Sequence, residues 1–239
     1  MHCKIPVSAA RDEKRRSNTV TMWHAFVSLL IVAAMFVGGP ACSQDYVPLN
    51  LKIVSAARDG DRPAIERLLG EGASINARNR LGETLLMIAL KRGNDALATW
   101  LIEQGADVKI AAVNGVTPLM SAAFDGRTQL ARMLLERGAD IRAVDRLHRP
   151  AMVYAAGNGR TEIVGLLLDR GIDVNERYAG EVTALMWAAG SDHPDTADLL
   201  LARGADPTLR DDRGLTAAQQ ARANGFGATA TRLETSPAK

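Results

Sequence analysis

A glycine recurs at fixed steps along this chain. It stands at Gly72, Gly105, Gly138, Gly171 and Gly204, each 33 residues after the last. An alanine keeps the same step at Ala56, Ala89, Ala122, Ala155, Ala188 and Ala221. Self-similarity at this period specifies a repeat array, in which each unit buries its apolar face against its neighbours rather than in one closed core.

Residues 114–140, NGVTPLMSAAFDGRTQLARMLLERGAD, form the clearest unit. Thr117 is placed to cap a first helix, with Pro118 at its first position, where a missing N–H costs nothing. Leu119, Ala122 and Ala123 give that helix a narrow apolar face. Gly126 is placed to end it, because glycine turns readily into φ > 0. Leu130, Met133, Leu134 and Leu135 follow at helical spacing, and Gly138 ends the second helix. Neither helix is long enough to persist alone in water.

These residues resemble the ankyrin repeat family. The pattern G-x-T-P-L-x-x-A-A-x-x-G, then L-L-x-x-G-A-D, fits residues 115–140 best, and residues 82–107 and 183–206 well. The resemblance covers residues 47–233 and implies an all-α solenoid. About six helix-turn-helix repeats with β-turn or hairpin tips are expected, at about 46–78, 79–111, 112–144, 145–177, 178–210 and 211–233 within a domain of 44–233. The first repeat lacks a Thr-Pro start. Its Lys52, Arg58, Asp61, Arg62, Glu66 and Arg67 suit a polar end, as terminal units require. Gln219, Gln220 and Arg222 mark the last repeat as the other end, and residues 234–239 read as a tail.

The N-terminus reads as an export signal over residues 1–43. Lys4, Arg11, Lys14, Arg15 and Arg16 outnumber Asp12 and Glu13, and no charged side chain occurs from 17 to 44. Residues 25–37 form an apolar core interrupted by Ser28, followed by Gly38, Gly39 and Pro40. A core of 13 residues is short for a membrane span. Cleavage after Ala41 or Ser43 fits, giving a periplasmic or secreted product of bacterial origin; the alternative is an uncleaved inner-membrane anchor. Lipidation of Cys42 is a further alternative, although Gly39-Pro40-Ala41 suits it poorly. Arg15-Arg16 lacks the apolar residues that follow a twin-arginine signal.

The chain carries 29 basic and 27 acidic residues; removing the leader's five and two leaves 24 and 25. Nothing in that balance argues for nucleic acid. The two cysteines, Cys3 and Cys42, lie in the leader, so the repeats have neither disulfide nor thiol chemistry. Beyond the leader the histidines are His148 and His193, and no metal, phosphate-loop or nucleophile-elbow motif occurs. An enzyme using these histidines is not expected, and no cofactor is, because an open array encloses no pocket to perturb them. His193-Pro194-Asp195 spells the tripeptide of J-domain co-chaperones but falls at the start of an outer helix, where Pro194 suits an early position.

The resemblance implies further roles. Met87, Met120 and Met186 stand where the family has the histidine of T-P-L-H, and are expected to pack rather than hydrogen-bond. Trp100 and Trp187 are expected between repeats. The family grips a partner protein with its tips and the exposed side of its inner helices. Carried over by position, the tips offer Arg78, Arg80, Leu81, Asn114, Arg146, Leu147, Arg149, Arg177, Tyr178, Arg210 and Arg213. The inner helices offer Lys91, Arg92, Phe124, Asp125 and Asn158. Arginine and aromatics suit interfaces, and arginine holds carboxylates with two parallel bonds. The expected partner is a protein with an acidic, partly apolar surface. Exported bacterial relatives include stress-defence and toxin-neutralising proteins. Membrane contact is expected only through an uncleaved signal or a lipid on Cys42.

Overall fold

The computed structural model describes residues 48–235. The expected leader, cleavage sites and lipid site, and residues 236–239 of the expected tail, lie outside the described residues. Twelve α-helices among the described residues run as six pairs. They are α1 (Leu49–Asp59) with α2 (Arg62–Gly70), α3 (Leu85–Arg92) with α4 (Asp95–Glu103), and α5 (Pro118–Asp125) with α6 (Thr128–Glu136). Then follow α7 (Ala151–Gly157) with α8 (Thr161–Asp169), α9 (Ala184–Gly190) with α10 (Pro194–Ala202), and α11 (Ala217–Ala223) with α12 (Gly227–Thr235). The odd-numbered helices pack in series as an inner layer, and α4, α6, α8 and α10 pack in series as an outer one.

Local chemistry starts the inner helices α3, α5, α9 and α11. The hydroxyls of Thr84, Thr117, Thr183 and Thr216 accept N–H bonds from the residue three positions on. Repeat four lacks that threonine, and Pro150 supplies the extended start without a side-chain cap. The methionines do more than pack. Met87, Met120 and Met186 are buried, and the sulfurs of Met120 and Met186 accept the N–H of Thr117 and Thr183 at 3.4 and 3.5 Å. Gln219 closes the same box with its amide oxygen at 2.9 Å.

Packing stabilises helices of seven to eleven residues, below the ~12–15 needed in isolation. In α3, all six residues from Leu85 to Leu90 are buried. Each such leucine contributes about 2 kcal/mol. Side-chain ties then join each unit to the next. Arg142 pairs with Glu176 and Arg203 with Asp169. The Arg160 guanidinium donates to the Phe124 carbonyl at 3.0 Å. His193 holds the position before α10 without a side-chain cap bond, Pro194 follows in the first turn, and the His193 Nε2 lies 3.2 Å from the Gly157 carbonyl. His193 is therefore an inter-repeat tie.

Both tryptophans also sit between units. Arg62 of the first repeat lies 4.8 Å over the Trp100 ring, and Trp187 packs 3.5 Å from where a Gly157 side chain would begin. At the C-terminal end, Ala230 and Leu233 are buried and Thr229 donates to Asp192 at 2.6 Å. These anchors carry α12 to Thr235, so residues 234 and 235 belong to the helix and not to a tail. The expected hairpin tips are turns: among the described residues the tips hold one isolated bridge, Arg78 with Thr84.

Candidate functional site

The tips are ordered by one slot in the register. Asn79 Oδ1 accepts the N–H groups of Leu81 and Glu83 at 2.8 and 3.0 Å. Asp145 Oδ1 does the same for Leu147 and Arg149, and Asp211 Oδ1 for Arg213 and Leu215. Three positions after this slot the chain turns through positive φ, at Gly82, Gly115 and Gly214, and also at His148 and Glu181. Adjacent tips are laced by backbone bonds. Val113 donates to the Leu81 carbonyl, Arg146 to that of Asn114, and Asp212 to that of Gly180, at 2.8, 3.0 and 3.1 Å. A Cβ at Gly115 would lie 3.0 Å from Asp145 Cα, so the tips of repeats three and four touch backbone to backbone.

Several expected site residues are engaged inside the fold. Arg149 donates to Asp145 Oδ2 through Nε and Nη2 at 3.1 and 2.9 Å, and its guanidinium lies 4.9 Å over the Tyr154 ring. Tyr154 donates to the same oxygen at 2.6 Å. Burial pushes the Asp145 carboxyl up, but these bonds and the turn N–H groups outweigh it and hold it below the usual carboxylate range. Burial, then the Asp145 carboxylate, pushes the Tyr154 phenol up to about 12.

Arg213 pairs with Asp211 at 2.8 Å, and Gln220 donates to the same carboxylate at 2.9 Å. Arg177 pairs with Glu181 at 2.7 Å. Arg210 donates to the Gly214 carbonyl, and Arg78 to those of Gly82 and Ala111. Asn158 donates to the Tyr154 carbonyl at 2.8 Å, closing the end of α7. Asp125 lies 3.6 Å from Arg127. Tyr178 packs against the core with its hydroxyl buried and without a hydrogen-bond partner. Burial raises that phenol well above its ordinary value.

The remainder faces solvent. Arg80, Arg92 and Arg146 are exposed, with no ion-pair or hydrogen-bond partner for their side chains among the described residues. Leu81 is 61% exposed, Phe124 49% and Leu147 62%. Val113 and Val144 are also exposed, and sequence reasoning missed them. The register held the signal: Val113 occupies in repeat three the slot of Arg80 and Arg146. Of the six large apolar side chains exposed among the described residues, five lie on repeats two to four, Leu51 being the sixth. None lies on repeats five or six.

A depression of about 280 Å³ lies beside Phe124, the one exposed apolar side chain in its lining. Met87, Val116 and Met120 line it, with Phe124 and Tyr154 ring to ring at 6.2 Å, edge to face. Lys91, Asn114 and Asp125 add polar groups. Glu83 is compensated within it by Lys91 and by Asn79 at 2.7 Å. Burial raises that carboxyl, and the bonds from Lys91 and Asn79 bring it below its ordinary value.

Stacked short helix pairs with laced turns define a solenoid repeat protein. The chain belongs to the ankyrin repeat family: the family model for ankyrin repeats in three copies matches residues 53–145 and 143–211. Membership makes it a protein-binding module. Ankyrin repeat domains are usually non-catalytic, and no catalytic family is shown. A mitochondrial disaggregase from Bos taurus is 44% identical over 50 residues, which are 21% of this chain and 7% of that protein. Among the described residues no helix is long and apolar enough to cross a membrane.

Proposed function

We propose that this chain is an exported, non-catalytic module of the bacterial periplasm that holds a partner protein on the tips and inner helices of repeats two to four. One observation carries the choice of face: the exposed apolar side chains gather there, beside arginines that nothing in the fold neutralises. Exposed apolar patches mark interaction sites, and arginine beside apolar anchors is a favoured interface composition. The arginines of repeats five and six carry internal ties and contribute less. The export reading rests on the basic start, the apolar core and the small residues before position 44.

Affinity capture from envelope extracts tests the face. Arg80→Glu combined with Arg146→Glu should lose the partner while the melting temperature stays unchanged. Retained capture at unchanged stability would discard the face. The mass of the mature N-terminus tests the export reading. A start at Cys42 or Gln44 supports cleavage, whereas retained residues 1–41 indicate an anchor, and acyl mass on Cys42 a lipid.

A further inference from the structure

We propose that the occupant of this face is an extended polypeptide segment with one apolar side chain seated in the depression and carboxylates on both sides of it. The proposal rests on the face described above and adds the chemistry of its ligand.

Two features locate it. Asn114 lines the depression and is also the middle of the laced tips: its carbonyl accepts from Arg146, and its neighbour Val113 donates to the Leu81 carbonyl. The dipeptide Arg80-Leu81 recurs as Arg146-Leu147, two repeats on and in the same register. The depression is therefore flanked on both sides by an exposed Arg-Leu pair. At about 10 Å per packed element, the two arginines stand about 20 Å apart. An extended segment covers that distance in about six residues.

Charge fixes the sign of the ligand. Glu83 is closed off by Lys91 and Asn79, and Asp125 faces Arg127. Arg80 and Arg146 keep unanswered charge, which complements carboxylates. At about 280 Å³ the depression lies at the lower edge of the ~300–1,000 Å³ range of ligand pockets, room enough to seat one apolar side chain.

Fluorescence anisotropy of labelled synthetic peptides on the purified chain tests this. One peptide carries a central leucine with glutamates on both sides, a second replaces the glutamates by lysines, and a third replaces the leucine by serine. The first should bind at least about tenfold tighter than either other, and added salt should weaken it. Arg80→Glu with Arg146→Glu should reverse the order of the first two. Phe124→Ala should weaken the first peptide at unchanged melting temperature. Equal binding of all three, no binding, or an order that survives charge reversal would overturn the proposal. If the reversed variant still loses its partner from extracts while the peptides show no charge preference, the face stands and the ligand chemistry falls.

Discussion

The Tyr154 hydroxyl donates to Asp145 Oδ2 at 2.6 Å, joining an inner helix to a tip nine residues earlier in the chain. Arg149 donates to the same oxygen and, at 2.9 Å, to the Tyr154 hydroxyl. Asp145→Ala leaves a guanidinium, a phenol and two turn N–H groups without their acceptor. It should cost about 2–4 kcal/mol in urea unfolding. Arg146→Ala, one residue away and unpaired, should stay within about 0.5 kcal/mol of the parent.

Stability should fall in acid in a defined sense. Glu83, Asp145 and Asp211 are held below their ordinary carboxyl values when folded, burial being outweighed by the hydrogen bonds they accept. A carboxylate depressed in the folded state adds stability that is complete above its unfolded pKa and is lost as pH falls through the folded value. The urea midpoint should be level near neutral pH and drop below about pH 4. Asp145→Asn with Asp211→Asn should lower the plateau and flatten the drop.

The alkaline limb runs the other way. Tyr154 is raised from 10.0 to about 12, so its contribution is complete below the ordinary phenol value and is lost as pH rises through about 12. Ultraviolet titration should show Tyr154 still protonated at pH 10.

Gly115 and Gly214 share positive φ, but a Cβ at Gly115 also meets the next tip's backbone at 3.0 Å, whereas at Gly214 it meets nothing within 4 Å. Gly214→Ala should cost about 1 kcal/mol and Gly115→Ala about 2–3 kcal/mol or more. Conversely, His148→Gly should stabilise by up to about 1 kcal/mol, because His148 holds φ at 57°.

Tyr178→Phe removes a buried hydroxyl that has no partner. Unfolding free energy should be unchanged or higher by up to about 1 kcal/mol, and capture of the partner should not change.

The helix pairs were legible in the sequence because their determinants are local. Threonine caps, closing glycines and alanine-rich faces act within a few residues and repeat in register. The proposed binding face was legible only in part. Arg149 and Arg177 each have an acid four positions away, at Asp145 and Glu181, and that spacing was a readable sign of internal pairing. Tyr178 falls in the slot of Asp145 and Asp211, whose side chains turn inward, so its burial follows from register rather than residue type. The depression was not readable, because it forms where three repeats meet.

Site-specific photo-cross-linking on envelope extracts tests the binding face most directly. A photoreactive residue replacing Leu81, Phe124 or Leu147 should yield adducts with one and the same protein, and one replacing Arg132 or Glu136 on α6 should yield none. Adducts from α6, or from the tips of repeats five and six, with none from Leu81, Phe124 and Leu147, would contradict it.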